Sequence, residues 1–133
     1  MFTSTTAVAP SGPGNRYFDI AGLHGMRTCL GRLQADRLLD NFAEALPLYS
    51  SRLEEAAARS DLAAVARTAH ALRGTAISFG CPGLSRLCES VKASCERGDV
   101  EEFRRSAKLL IHANGRAVKE LQMLRALSTG AAA

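Results

Sequence analysis

A histidine, two arginines and a glycine meet in one short stretch, DLAAVARTAHALRGTAISFG from Asp61 to Gly80, and their types are suited to chemistry. Neutral imidazole is a competent nucleophile near pH 7, since an ordinary histidine titrates at about 6.5. On a helix, the surface neighbours of His70 lie three, four and seven positions away. They are Ala63, Ala66 and Arg67 on one side and Arg73, Gly74 and Ile77 on the other. Alanine and glycine leave the ring unshielded, whereas Arg67 and Arg73 bring fixed positive charge with donors suited to phosphoryl oxygens. A glycine costs a helix interior about 1 kcal/mol relative to alanine, so Gly74 points to steric clearance rather than helix stability. The stretch describes an accessible nucleophile with an anion-stabilising border.

Some element must hold that ring outward. Leu62, Val65, Ala69, Leu72, Ala76 and Phe79 follow one another at alternating spacings of three and four, the period of one buried helical stripe. At roughly 100° per residue, His70 falls about 130° from the centre of that stripe. It is therefore expected in solvent or at the rim, not in the core. Ser60-Asp61 supplies a cap for the helix start. Gly80 closes the helix in the left-handed conformation, and Pro82 opens the next one.

The rest of the chain supplies the partners for this stripe. YFDIAGLHGMRTCL, from Tyr17 to about Leu30, reads as a short helix whose Phe18, Ile20, Leu23 and Met26 close one end of a bundle, with His24 at the surface. A long helix is expected from about Gln34 to Arg59, with a seam of Leu39, Phe42, Leu46, Tyr49, Leu53 and Ala56. Pro47 inside it predicts a kink near Glu44 and Ala45 rather than two separate helices. Pro82 to Arg97 carries Leu84, Leu87 and Val91 inward and closes at Gly98. Asp99 followed by Glu102 reads as a variant capping box. It opens a last helix with the seam Phe103, Ala107, Leu110, Asn114, Ala117, Leu121 and Leu124. Within that seam Asn114 is read as a buried amide that fixes register or holds an internal water, and His112 projects to a flank with no role assigned.

Breaks of two or three residues between long helices leave no room for a crossover. The expected fold is all-α: an antiparallel up-down-up-down four-helix bundle with a short additional N-terminal helix, over residues 16–128. Residues 1–15, crowded with Pro and Gly, read as a flexible tail, and 129–133 as a frayed C-terminus.

Composition narrows the function classes. A chain of 133 residues is one domain by size, and 47% hydrophobic with only 5% aromatic residues and no Trp favours helices over a sandwich or barrel. The net charge of +4 permits acidic partners, but the basic residues are dispersed among acids without a run of five or six, which argues against a nucleic-acid-binding arm. Cys29, Cys81, Cys88 and Cys95 show no CxxC spacing, so neither a zinc ribbon nor a thioredoxin-like site is indicated. Cys88 and Cys95, two turns apart on one helix, read as small core residues. The start lacks a basic segment followed by an apolar one, and no apolar run approaches the ~20 residues of a membrane span. A cytoplasmic monomer without membrane or nucleic-acid partners is expected. No phosphate-cradling glycine loop, Walker sequence or acidic metal cluster is visible, so the sequence shows no means of binding ATP, and any histidine here that received phosphate would have to take it from an already activated donor.

The run AHALRG, followed by Phe79-Gly80 and then Leu84 and Leu87, resembles the signature of histidine-containing phosphotransfer (HPt) domains. That pattern is a histidine, an apolar residue two on, Lys or Arg three on and Gly four on, which His70, Leu72, Arg73 and Gly74 match. The likeness covers about Phe18 to Leu127 and includes a Leu- and Phe-rich helix beforehand, Asp61 near the start of the histidine helix, and Cys88-Glu89 on the next helix. The resemblance implies a phosphocarrier rather than an enzyme. It takes a phosphoryl group from the aspartate of a receiver domain, in a response regulator or a hybrid sensor histidine kinase, and passes it to another receiver in a multistep phosphorelay. It implies no metal or cofactor of the domain's own, the Mg²⁺ belonging to the receiver, and attack by the ring nitrogen farthest from the backbone. In these terms Arg73 stabilises the equatorial oxygens, Gly74 gives the partner clearance, and Ala63, Ala66, Arg67, Ile77 and Lys92 form the docking surface.

One residue departs from the pattern. Family members often place a glutamine 22 positions after the histidine, and this chain has Lys92 there. Lysine cannot accept a hydrogen bond from the ring; it supplies a second cation to the phosphoryl group or is simply solvated. The alternative function is an interaction-only bundle that binds a receiver or kinase without transferring phosphate.

Overall fold

The computed structural model describes residues 17–132, with side chains through Ala126, so the expected tail at 1–15 lies outside the described residues. Among them are five helices: α1 (Ile20–Leu30), α2 (Arg32–Ala58), α3 (Leu62–Ser78), α4 (Pro82–Arg97) and α5 (Val100–Ala132). The four long helices pack in a ring, α2 on α3, α3 on α4, α4 on α5 and α5 on α2, while α1 leans on α2. The linkers between the long helices are only two or three residues, which makes ring neighbours antiparallel. The expected all-α bundle with a short additional N-terminal helix is what forms.

The caps show why the linkers are so short. The Asp61 carboxylate accepts from the Ala64 amide at 3.1 Å and opens α3. Ser60, just before it, takes φ 54°, a left-handed conformation that turns the chain out of α2. At the other end of α3, Gly80 has φ 66° and the Cys81 amide donates back to the Ala76 carbonyl at 2.8 Å, an arrangement glycine adopts without strain. Asp99 caps α5 through the Glu102 amide at 3.1 Å. Only half of the expected capping box forms, because the Glu102 carboxylate turns instead to the Arg97 guanidinium at 2.8 Å.

Inside the ring, the predicted stripes meet. Leu39, Phe42, Leu46 and Leu53 of α2, Val65, Ala69, Leu72 and Ala76 of α3, Leu84 and Val91 of α4, and Phe103, Leu110 and Leu121 of α5 are all buried. Cys88 joins them more completely than Leu87, which stays half-buried. Pro47 sits on the exposed side of α2, which remains a single helix across it. Asn114 is buried, and its amide donates to Ser50 Oγ at 3.0 Å, tying α5 to α2.

One boundary differs from expectation. Residues 17–19 form a non-helical strap rather than the first turn of α1, because their backbone groups are committed elsewhere. The Tyr17 amide donates to Glu120 Oε1 at 2.7 Å, the Gly83 amide to the Tyr17 carbonyl at 3.2 Å, and the Asp19 amide to the Gly80 carbonyl at 2.8 Å. A Cβ on Gly83 would lie 2.9 Å from the Tyr17 backbone, so this close approach needs glycine. The strap seats Phe18 edge-on against Phe42, which in turn stacks on Phe79 with ring centroids 4.8 Å apart. At the C-terminus the α5 backbone runs to Ala132.

Candidate functional site

The inward stripe of α3 dictates what its outer face presents. Val65, Ala69, Leu72 and Ala76 are 0% exposed and lock the helix rotation. His70 is thereby directed to solvent, as are Ala63, Arg67, Gly74 and Ile77, with Ala66 half-buried beside them. Ile77 is 53% exposed, a large aliphatic surface that the bundle itself does not cover. A Cβ built on Gly74 meets nothing within 4 Å. The fold therefore has no packing need for glycine there, and the space it leaves open is space above the helix, next to His70.

Arg73 has a definite orientation. Its Nε donates to Glu89 Oε2 on α4 at 2.8 Å, with both side chains partly exposed. A guanidinium carries five N–H donors, so this contact occupies one and leaves those of the two terminal nitrogens for an anion. Of the two remaining cations, Arg67 lies on the same outer face as His70, while Lys92 sits half-buried on α4 one turn beyond Glu89. Neither has a hydrogen-bond or ion-pair partner among the described residues. The orienting part played by Glu89 was missed in the sequence, where the residue figured only as a layout match. In a helical hairpin, residues at similar distances from the turn face each other, and Arg73 and Glu89 flank the 79–81 turn by that rule; this signal would have found the pair.

The buried cysteines beside the α3 face, Cys81 and Cys88, do not compete as nucleophiles. Burial pushes the Cys81 and Cys88 thiols up to about 12, the positive charge of Arg73 only partly opposing the shift at Cys88. At neutral pH both are protonated and inert. His24 and His112 are exposed on α1 and α5, on other helices than the α3 face.

A ring of helices whose α3 face bares an imidazole, with an oriented guanidinium one turn away and open space above, defines a class of group-carrying helical bundles. The family model for the Hpt domain matches residues 37–127, more than half of the chain, and the chain belongs to the HPt-domain family. The match begins within α2, so the strap and α1 precede it. Comparison with curated proteins and with solved structures returned no match. Membership implies phosphotransfer in two-component phosphorelays, by proteins that carry the phosphoryl group rather than catalyse turnover. Among the described residues no helix is long and apolar enough to cross a membrane.

Proposed function

We propose that this protein is a phosphohistidine intermediate in a multistep relay, accepting a phosphoryl group on His70 from the aspartyl phosphate of one receiver domain and delivering it to the aspartate of another. The observation that carries the reading is the exposure of His70 on α3 beside Gly74, whose missing side chain serves no packing purpose within the chain. In the forward step, the unprotonated ring nitrogen forms the P–N bond while the bond from phosphorus to the aspartyl oxygen breaks, returning a carboxylate to the donor. Nε2, the nitrogen farther from the backbone, reaches furthest from the helix and is assigned the attack. The reverse sequence on a second receiver regenerates neutral histidine.

Arg73, held by Glu89, offers its terminal N–H groups to the equatorial oxygens as charge spreads over them, a charge-assisted contact worth roughly 1.5 to 3 kcal/mol once a partner excludes water. Ala63, Ala66 and Ile77 give the receiver an apolar seat, and Arg67 and Lys92 face the acidic residues and Mg²⁺-bound phosphate it brings. The chain needs no ATP site or metal of its own in this scheme, since the energy resides in the donor's acyl phosphate. The working form is a cytoplasmic monomer, docked in turn by a hybrid sensor kinase or response regulator. The test is incubation with a receiver phosphorylated on aspartate. An acid-labile, base-stable label is expected on the protein and none on His70→Gln; a labelled His70→Gln refutes the assignment, and a tight complex without label marks an interaction-only bundle.

A further inference from the structure

The outer face of α5 gathers charge that the linear sequence disguises. Between Phe103 and Lys119 the chain contains Arg104, Arg105, Lys108, Arg116 and Lys119, together with His112, and no acidic residue. All six are exposed, because the buried seam of Phe103, Ala107, Leu110, Ala117 and Leu121 turns them to the opposite side. From Arg105 to Lys119 the stripe is about 21 Å long at 1.5 Å per residue. None of the five Lys and Arg side chains is within salt-bridge distance of a carboxylate among the described residues.

At one end the stripe borders a groove of about 560 Å³ between α2 and α5. Ala57, Ala58, Ala107 and Ile111 make its floor, Arg104, Arg105 and Lys108 its α5 wall, and Glu54 stands on the α2 side. The Arg104 guanidinium donates to Ser60 Oγ at 2.7 Å, which fixes that wall against the end of α2. Small side chains on the floor let another backbone approach closely, and three cations without a salt-bridge partner along one wall are complementary to a negatively charged ligand.

We infer that this groove is a second docking site, which takes an acidic amphipathic helix of a partner protein. Its small apolar residues would enter between α2 and α5, and its carboxylates would lie along Arg104, Arg105 and Lys108 and onward over the stripe. The charge pattern selects this occupant. Cations line one wall only and Glu54 sits across from them, which disfavours a phosphate backbone running down the groove. A concave apolar floor is likewise unsuited to a flat lipid surface. Because α3 and α5 each pack on α2 and α4, their outer faces lie on opposite sides of the ring. A partner held on α5 therefore leaves the His70 face free, so the protein can be tethered to one protein while exchanging phosphate with another. The inference stands on the groove and its charges, independently of His70.

The probe is a fluorescein-labelled amphipathic helical peptide of glutamate, leucine and alanine, roughly three heptads long, titrated with the full chain by fluorescence anisotropy at physiological salt. Saturable micromolar binding is expected. It should weaken at least about tenfold in Arg105→Glu/Lys108→Glu and in Ala57→Gln, which fills the floor, and stay within about twofold in Arg86→Glu, a charge reversal on α4. Circular dichroism confirms that each variant is folded. Absence of saturable binding overturns the proposal. So does equal binding to the groove variants or to a scrambled peptide, or tighter binding of duplex DNA or of phosphatidylserine vesicles than of the peptide.

Discussion

Helices α3 and α5 face each other across the ring and solve the same problem inward, yet they are built differently outward. Each commits an apolar stripe at three-four spacing to the core, Val65, Ala69, Leu72 and Ala76 in α3 and Phe103, Ala107, Leu110, Ala113, Ala117 and Leu121 in α5. Outside, α3 shows Ala63, Gly74 and Ile77 around one histidine, whereas α5 shows five Lys and Arg side chains over four turns. Packing constrains one side of a bundle helix, and the other side is free to record what the helix is for. A nucleophile that must be reached by a folded domain is served by bareness. A surface that holds a partner is served by charge.

The largest expected effect tests the inward equivalence. Leu72→Ala and Leu110→Ala each remove a fully buried side chain and should each destabilise the fold by about 2–5 kcal/mol in denaturant unfolding. His70→Gln and Lys108→Gln, on the outer faces of the same helices, should stay within about 0.5 kcal/mol. A large loss of stability in His70→Gln would mean that the imidazole is part of the packing, and the contrast between the faces would fail.

The second test separates the outer faces by rate. Arg73→Ala should slow single-turnover transfer from a phosphorylated receiver roughly 10- to 100-fold, the loss of one charge-assisted contact in the transfer step, while weakening receiver affinity less. Glu89→Gln leaves Arg73 charged but held more weakly, so its rate loss should be smaller and in the same direction. Equal losses of rate and affinity in Arg73→Ala would make it a docking residue only. Arg116→Gln on α5 should alter neither.

Much of the fold was legible because its punctuation is local. Pro82 and Gly98 bound α4 at the residues expected, and Asp61 caps α3 as its position before the apolar stripe implied. The orientation of His70 followed from angle alone, since a strong stripe leaves only one way to rotate the helix. What stayed hidden depends on partners distant in the chain. The strap at 17–19 looks helical in isolation and is not, because Gly80, Gly83 and Glu120 compete for its backbone. The clamp on Arg73 needs the α3–α4 hairpin to exist first. The cationic face of α5 escaped a search for runs because helical neighbours recur every three or four positions, and a linear scan sees them as dispersed.

The smallest effect decides whether the bareness of α3 is functional. Gly74 and Gly115 are both exposed helix-interior glycines where a Cβ would meet nothing within 4 Å. Replacing either with alanine removes backbone freedom from the unfolded chain without creating a clash, so both variants should gain about 1 kcal/mol of stability. The two sites part when a longer side chain is introduced. Gly74→Gln places a flexible amide beside His70 and should weaken receiver docking several-fold with helicity intact, whereas Gly115→Gln on α5 should leave docking unchanged. If both glutamine variants dock normally, clearance is not what Gly74 provides; if both dock poorly, the receiver reaches α5 as well and the two faces are not separate surfaces.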